Sequence, residues 1–307
     1  MVTPESNDAE LSIVEAHLKS IDFSGVRIAQ VLRRTYDMLL DGQHTGRYRW
    51  DQLYKTEKTH FGTLVEINLQ REFSFTDGQS MDFAIEGIDV DCKFSQVPGA
   101  WMIPPEANGH LLLGLWASDQ QGLWAAGLVR ADEAVLTSPR GNRDRKRQLT
   151  KAGKGSVRWL FKDMPLPENA LLRIDPVSAG KILDPSLSGQ QRVSMLFRLA
   201  QGRLISRNVV ATVAQQDDYM KRVRGNGGAR SKLRPEGIVI LGQYSSHGDI
   251  ARDLGLPVPG RGESLSVRLA RRQSHHGDQP FITLDGQDWV IAGPADPPEL
   301  APLLPKV

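Results

Sequence analysis

The run Ile88-Asp89-Val90-Asp91-Cys92-Lys93-Phe94 alternates apolar and polar residues, and a period of two admits little besides a half-buried strand. Side chains two apart share a face, so Asp89, Asp91 and Lys93 lie together while Val90, Cys92 and Phe94 enter the core. Upstream, Met81-Asp82-Phe83-Ala84-Ile85 repeats the pattern with Asp82 on the polar side. Two short neighbouring strands that each carry a carboxylate, one with a lysine two places on, offer oxygen donors for a divalent cation beside an ammonium group. Such a set suits phosphodiester hydrolysis: the carboxylates hold the metal and the lysine stands beside the attacking water. The competing reading of Asp91 and Lys93 is a salt bridge on a strand face, about 0–1 kcal/mol when exposed.

A third acid comes from the segment before. Thr59 to Arg71 reads as a helix with Thr59 as N-cap and with Phe61, Leu64, Val65, Ile67 and Leu69 on a broad apolar face. Glu66 falls among those apolar positions, where a carboxylate must be neutralised, paired or bound to metal. Its alternatives are a salt bridge to Lys58 or to Arg71, and Glu72 and Asp89 rival it for the same ligand role. The other acid-x-Lys triplet, Asp144-Arg145-Lys146, sits in a charged run without apolar alternation, so its side chains do not converge.

The chain has 307 residues, enough for two domains that each bury a core, and its 40% hydrophobic content is that of a globular protein. A net charge of +2 is too mild to identify a nucleic-acid partner. The distribution says more. Arg143, Arg145, Lys146 and Arg147 lie in one basic run, and Lys221, Arg222, Arg224, Arg230, Lys232 and Arg234 in another, so two surfaces are expected to face phosphate; the alternative is a pair of solvated loops. Cys92 is the single cysteine, which excludes an internal disulfide and fits a reducing compartment. With no apolar run near the ~18 residues of a membrane helix and a polar, acidic start, a cytoplasmic protein without a membrane partner is expected.

Along the chain, helices at 8–20 and 24–41 are expected, the second capped by Ser24 and ended by Gly42. The strand pair 110–117 and 122–130 carries Trp116 and Trp124 as packing residues. Helices around a short mixed sheet make the first domain, 1–161, α/β or α+β. Pro165 and Pro167 place a spacer at 162–169, and 170–307 forms the second domain. There, helices at 189–200, 206–214 and 217–223, followed by a β-rich 237–242, match a winged helix-turn-helix. A weaker helix-turn-helix candidate pairs 249–255 with a helix at 264–272, and Asp285-Gly286 marks a terminal hairpin. Gly153-Lys154-Gly155-Ser156 lacks the glycine and the Lys-Ser order of a phosphate loop, so no nucleotide cofactor is expected. His275-His276 has no cysteine pair nearby and is a poor zinc candidate.

Taken with Thr35-Tyr36-Asp37, Asp41-Gly42-Gln43, Thr63-Leu64-Val65-Glu66-Ile67 and Asp89-Val90-Asp91-Cys92-Lys93-Phe94-Ser95, the chain resembles the NaeI-type restriction endonucleases over nearly its whole length. The resemblance implies an N-terminal PD-(D/E)xK endonuclease domain and a C-terminal CAP-like helix-turn-helix domain. It further implies cleavage of a GC-rich palindrome (GCCGGC in the founding example) only after a second DNA copy binds as effector. Glu66, Asp82, Asp91 and Lys93 take the catalytic positions; where the general motif has proline before the first aspartate, this chain has Met81.

The expected chemistry follows from that set. Asp82 and Asp91 bind Mg²⁺ with the backbone carbonyl of Cys92, Glu66 holds a second metal or orients a water, and Lys93 steadies charge developing on phosphorus. Products carry 5′-phosphate and 3′-hydroxyl ends. Cutting both strands of a palindrome calls for a homodimer. Sequence readers are expected from 140–158 and from the 42–49 loop. A non-enzymatic winged-helix regulator and a repair or nicking nuclease are the competing functions.

Overall fold

The first helix begins at Asp8, whose carboxylate accepts the Leu11 amide and so satisfies a donor the helix leaves open. In the computed structural model, which describes residues 8–138 and 144–305, helix α1 (Ala9–Ile21) buries Leu11, Val14 and Leu18. Helix α2 (Val26–Leu40) buries Ile28, Leu32 and Tyr36 along one stripe. Its cap is Asp22 and not Ser24: the Asp22 carboxylate accepts the amides of Arg27 and Ile28 at 3.2 and 2.9 Å. Asp41, at φ 46°, ends it, and Gly42 opens the short helix α3 (Gly42–Thr45). Helix α4 (Lys55–Phe73) starts a turn before Thr59, because the Glu57 carboxylate accepts the Tyr54 amide at 2.7 Å. The Thr59 hydroxyl only bonds back to the Lys55 carbonyl.

Strands β1 (Phe83–Ile85) and β2 (Ile88–Ser95) form a hairpin through Glu86 and Gly87, whose φ of 52° and 76° are those of a two-residue I′ turn. Strand β3 (Leu111–Ser118) runs parallel to β2, β4 (Leu123–Arg130) antiparallel to β3, and, after helix α5 (Lys151–Gly155), β5 (Arg158–Pro165) closes the order β1-β2-β3-β4-β5. The sheet is mixed, as expected. Register sets Asp91 beside Leu112 and Lys93 beside Gly114, on the face where Trp101, Ile103 and Val129 pack. Phe94 is on the other face, against α4, with its ring 4.6 Å from that of Phe61. Trp116 and Trp124 are buried, as packing residues should be.

The chain divides into two compact units. One runs through Leu39 and resumes from Arg49 to Glu168; the other takes Leu40–Tyr48 and the chain from Asn169 onward. Two linear expectations give way here. Lys162–Pro165 is strand rather than spacer, because β5 is a sheet edge where a proline leaves no ladder bond unmade. The 42–49 loop joins the second unit up to Tyr48: a Cβ on Gly42 would come 2.1 Å from Thr212 Oγ1, a contact that only glycine permits.

The second unit holds helices α6 (Pro176–Ile182) and α7 (Gly189–Leu199), strand β6 (Leu204–Ser206), helix α8 (Arg207–Ala214) and helix α9 (Ala229–Leu233). Ser206 caps α8 through the Val209 amide. Strand β7 (Ile238–Gly242), helix α10 (Ser245–Asp253) and strands β8 (Glu263–Arg271), β9 (Phe281–Leu284) and β10 (Gln287–Ile291) follow. The expected helix at 217–223 is only a 3₁₀ turn, Tyr219–Arg222. The expected helix at 264–272 is β8. Its Leu265, Val267 and Leu269 repeat every second residue, and both its edges are paired, with β7 on one side and β6 and β10 on the other. Asp285-Gly286, at φ 52° and 73°, turns the β9–β10 hairpin. Among the described residues, no helix is long and apolar enough to cross a membrane.

His247, at the start of α10, accepts the Gly242 amide at Nδ1 (3.0 Å) and is only 2% exposed. Burial, helped by Arg230, pushes its pKa down to about 4. Between about pH 6.5 and 4 the unfolded imidazole binds a proton that the folded one refuses, so stability falls as pH drops through that window, by on the order of 3 kcal/mol. His247→Asn, which keeps an acceptor for Gly242, is expected to flatten that dependence in urea unfolding at pH 7 and 4.5. Equal pH slopes in the two proteins would clear His247 of the role.

Candidate active site

Strand β1 begins one residue after Asp82, so the Cys92 amide on β2 lies beyond the end of the ladder and needs another acceptor. Asp82 supplies it: its Oδ2 accepts the Cys92 N–H at 2.7 Å. The carboxylate is thereby fixed next to Asp91, the residue that the register places across from it. Lys93 folds over both. Its Nζ donates to Asp91 Oδ1 at 2.5 Å, to the Cys92 carbonyl at 2.9 Å and to Asp82 Oδ2 at 3.2 Å. An ammonium has three donors, and here all three go to the oxygens that the sequence assigns to a cation.

Asp91 is 4% exposed, and its Oδ2 is buried without a hydrogen-bond partner. Burial, reinforced by Asp82 and opposed by Lys93, pushes its pKa up to about 6. Burial alone would lower Lys93, but Asp91 and Asp82 outweigh it and hold the ammonium above the ordinary lysine value. A buried carboxylate oxygen with no partner is costly unless a cation or proton meets it. The nearby donors are carboxylate and carbonyl oxygens, a hard set suited to Mg²⁺ or a similar divalent ion. Burial raises the Cys92 thiol well above its usual pKa, so the residue offers its carbonyl and not a thiolate.

Glu66 stands half-buried on α4, and neither Lys58 nor Arg71 pairs with it among the described residues. Burial first, and then Asp82, raise its pKa, which puts its charge in the field of the same site. It does not close a tight trio with Asp82 and Asp91. Among the described residues, the group whose ligand atoms all lie within 4.8 Å of one another is His275, His276 and Asp296. That group is poorly prepared for metal: His276 Nδ1 accepts the Gln273 amide, so Nε2 carries the proton and donates it to Asp296. Metal-bound imidazoles have the opposite pattern, their second nitrogen donating. Glu66 is set apart because α4 meets the Phe94 face of β2, while Asp91 and Lys93 lie on the other.

Both rivals of Glu66 are engaged elsewhere. Asp89 accepts the Gln79 and Ser80 amides, each at 2.9 Å, and so fixes the turn before β1. Glu72 pairs with Arg27 and Arg34.

The basic residues divide in the same way. Arg143 lies outside the described residues. Arg147 braces its own loop through the Thr137 carbonyl and Glu133, and Arg234 donates to the Ala301 carbonyl, so both serve structure. Arg222 and Lys221 reach Asp218. Arg145, Lys146, Arg224 and Lys232 are exposed, and Arg230 is half-buried. Arg207 escapes a search for basic runs because it stands alone, yet it projects from the start of α8 into a cavity that Arg224 and Arg230 also line.

Similarity to known proteins decides the family. The family described as restriction endonuclease NaeI matches residues 12–299. The chain belongs to that family. It is 52% identical over 306 residues to the type II restriction enzyme NaeI of Lentzea aerocolonigenes, an alignment covering 97% of this chain and 95% of the relative. Restriction endonucleases are hydrolases that cut DNA, so the family member described here has DNA as its partner. The Asp82–Lys93–Asp91 cluster is its candidate reaction centre.

Proposed function

We propose that the chain is a type II restriction endonuclease that cuts both strands of a GC-rich palindrome, related to GCCGGC, as a homodimer in the presence of Mg²⁺. The observation that carries the reading is the pair Asp82 and Asp91 held around Lys93, with Asp91 Oδ2 buried and unpartnered. Asp82, Asp91 and the Cys92 carbonyl would hold the ion, which when bound polarises a phosphate oxygen and acidifies a water. Lys93, which donates to those same oxygens, would stand beside the bound ion, its ammonium placed to balance charge developing on phosphorus. Glu66, whose raised pKa favours taking up a proton, orients the attacking water. In-line attack gives 5′-phosphate and 3′-hydroxyl ends.

The second unit is read as a CAP-like winged helix that binds a further DNA copy as effector. What supports this is the grouping of α7, α8 and α9 around one core, with β6 and β7 antiparallel to either side of β8. Arg145 and Lys146 in the first unit, and Lys221 and Lys232 in the second, are exposed and would meet phosphate, Lys221 by giving up Asp218.

A plasmid digest in Mg²⁺, with and without a duplex oligonucleotide carrying the site, tests both levels. Discrete fragments that form faster with the oligonucleotide are expected, and sedimentation should give a dimer at micromolar concentration. Intact plasmid would leave only a DNA-binding regulator, and a smear would mean a non-specific nuclease. Discrete cutting at an unchanged rate would remove the effector role and leave the endonuclease standing.

A further inference from the structure

A cavity of about 380 Å³ opens in the second unit, with Arg207, Arg224, Arg230, Gln243, Tyr244 and Glu263 on its wall. It falls within the ~300–1,000 Å³ typical of small-ligand sites. Three of the lining residues are arginines, and none of the three forms an ion pair among the described residues. Arg230 is the most enclosed: its Nε is buried without a hydrogen-bond partner, and its Nη2 packs against Gly242, 2.8 Å from where a Cβ would stand. The one carboxylate on the wall, Glu263, is committed to the Gly260 amide at 2.9 Å. Gln243 has its carbonyl oxygen taken by the Gly262 amide, which leaves its NH₂ as a further donor. Three arginines against one carboxylate leave the cavity rich in donors and positive charge.

The rest of the lining is not that of a bare phosphate site. Tyr244 is 38% exposed, and Met220 and Val223 add apolar surface. An aromatic face beside guanidinium groups is how proteins stack a single base while holding its phosphate. A duplex backbone is convex and continuous, whereas a hollow of this volume, partly open to solvent, holds about one nucleotide.

We infer that this cavity binds a single 5′-phosphorylated nucleotide, with the phosphate against Arg207, Arg224 and Arg230 and the base against Tyr244. The occupant is a ligand of the second unit, either a free mononucleotide or the unpaired end of a DNA strand. The inference does not depend on effector activation.

Calorimetric titration of the full chain tests it, with deoxynucleoside 5′-monophosphates, the matching nucleosides and inorganic phosphate as probes. Saturable binding of the monophosphates is expected, at least tenfold tighter than that of nucleoside or phosphate. Arg207→Ala and Arg224→Ala remove exposed side chains, so these variants keep the fold, and each should weaken monophosphate binding at least tenfold. Tyr244→Ala should weaken the monophosphate and leave inorganic phosphate unchanged. A 5′-phosphorylated trinucleotide separates the two sources: tighter binding than the monophosphate assigns the cavity to a strand end, weaker binding to the free nucleotide. No saturable binding at millimolar monophosphate, or binding unchanged in the Arg207→Ala/Arg224→Ala double variant, overturns the inference. Stimulation of plasmid cutting by duplex, measured on the same samples, reports on the effector reading separately.

Discussion

Asp91→Ala is expected to lower plasmid cleavage in Mg²⁺ by roughly 10²–10³-fold or more, the scale seen when a fixed charge at a reaction centre is lost. DNA binding, measured by gel shift in Ca²⁺, should stay close to that of the unaltered protein. The reason lies in the asymmetry of the two aspartates. Asp82 has a structural duty as acceptor of the Cys92 amide, so removing it disturbs the strand as well as the chemistry. Asp91 has an oxygen with no partner at all, and Lys93 keeps Asp82 when Asp91 is gone. The variant therefore removes the proposed cation ligand with little cost to the fold. Cleavage at the unaltered rate would show that the reaction centre is elsewhere. Loss of both cleavage and thermal stability would instead make Asp91 a structural residue.

The second large effect belongs to Phe61. Its ring is fully buried and touches the rings of Tyr36 at 4.5 Å, Phe94 at 4.6 Å and Trp50 at 5.2 Å. It packs α4 against Phe94 of β2, and so helps to set how far Glu66 stands from the aspartates. Phe61→Ala opens a cavity between those rings and should cost about 3–5 kcal/mol of stability. Activity should fall further than the folded fraction does, because α4 can settle toward β2 and carry Glu66 with it. Urea unfolding gives the first quantity, and single-turnover cleavage at a temperature where the variant is folded gives the second. A variant less stable by that amount yet fully active would show that the position of Glu66 does not matter to the reaction.

The strands that carry the site were readable because their signal is local. Alternation over Ile88–Phe94 places Asp91 and Lys93 on one face whatever the rest of the chain does, and the I′ turn at Glu86-Gly87 then brings Asp82 across from Asp91. The helices at α1, α2, α7 and α8 were readable for the same reason, since each has an apolar stripe with clear stops. Caps were less so. Asp22 and Glu57 displaced Ser24 and Thr59 because a longer side chain reached the open amides first. The strand β8 differs from the expected helix because Leu265, Val267 and Leu269 alternate with Ser264, Ser266 and Arg268, a period of two that a helix cannot place on one face.

What the sequence settled by itself is the chemistry on offer: two aspartates and a lysine at strand spacing, a nearby glutamate, and two runs of cations. Only the tertiary structure decided which of these groups are available. Hydrogen bonding across the chain committed Asp89, Glu72, Arg147 and Arg234 to scaffolding, left Asp91 Oδ2 without a partner, and brought the isolated Arg207 beside Arg224 and Arg230. Residue type and spacing fix what a side chain can do, but whether it is free to do it depends on neighbours far away in sequence, through desolvation and pairing that no local pattern records.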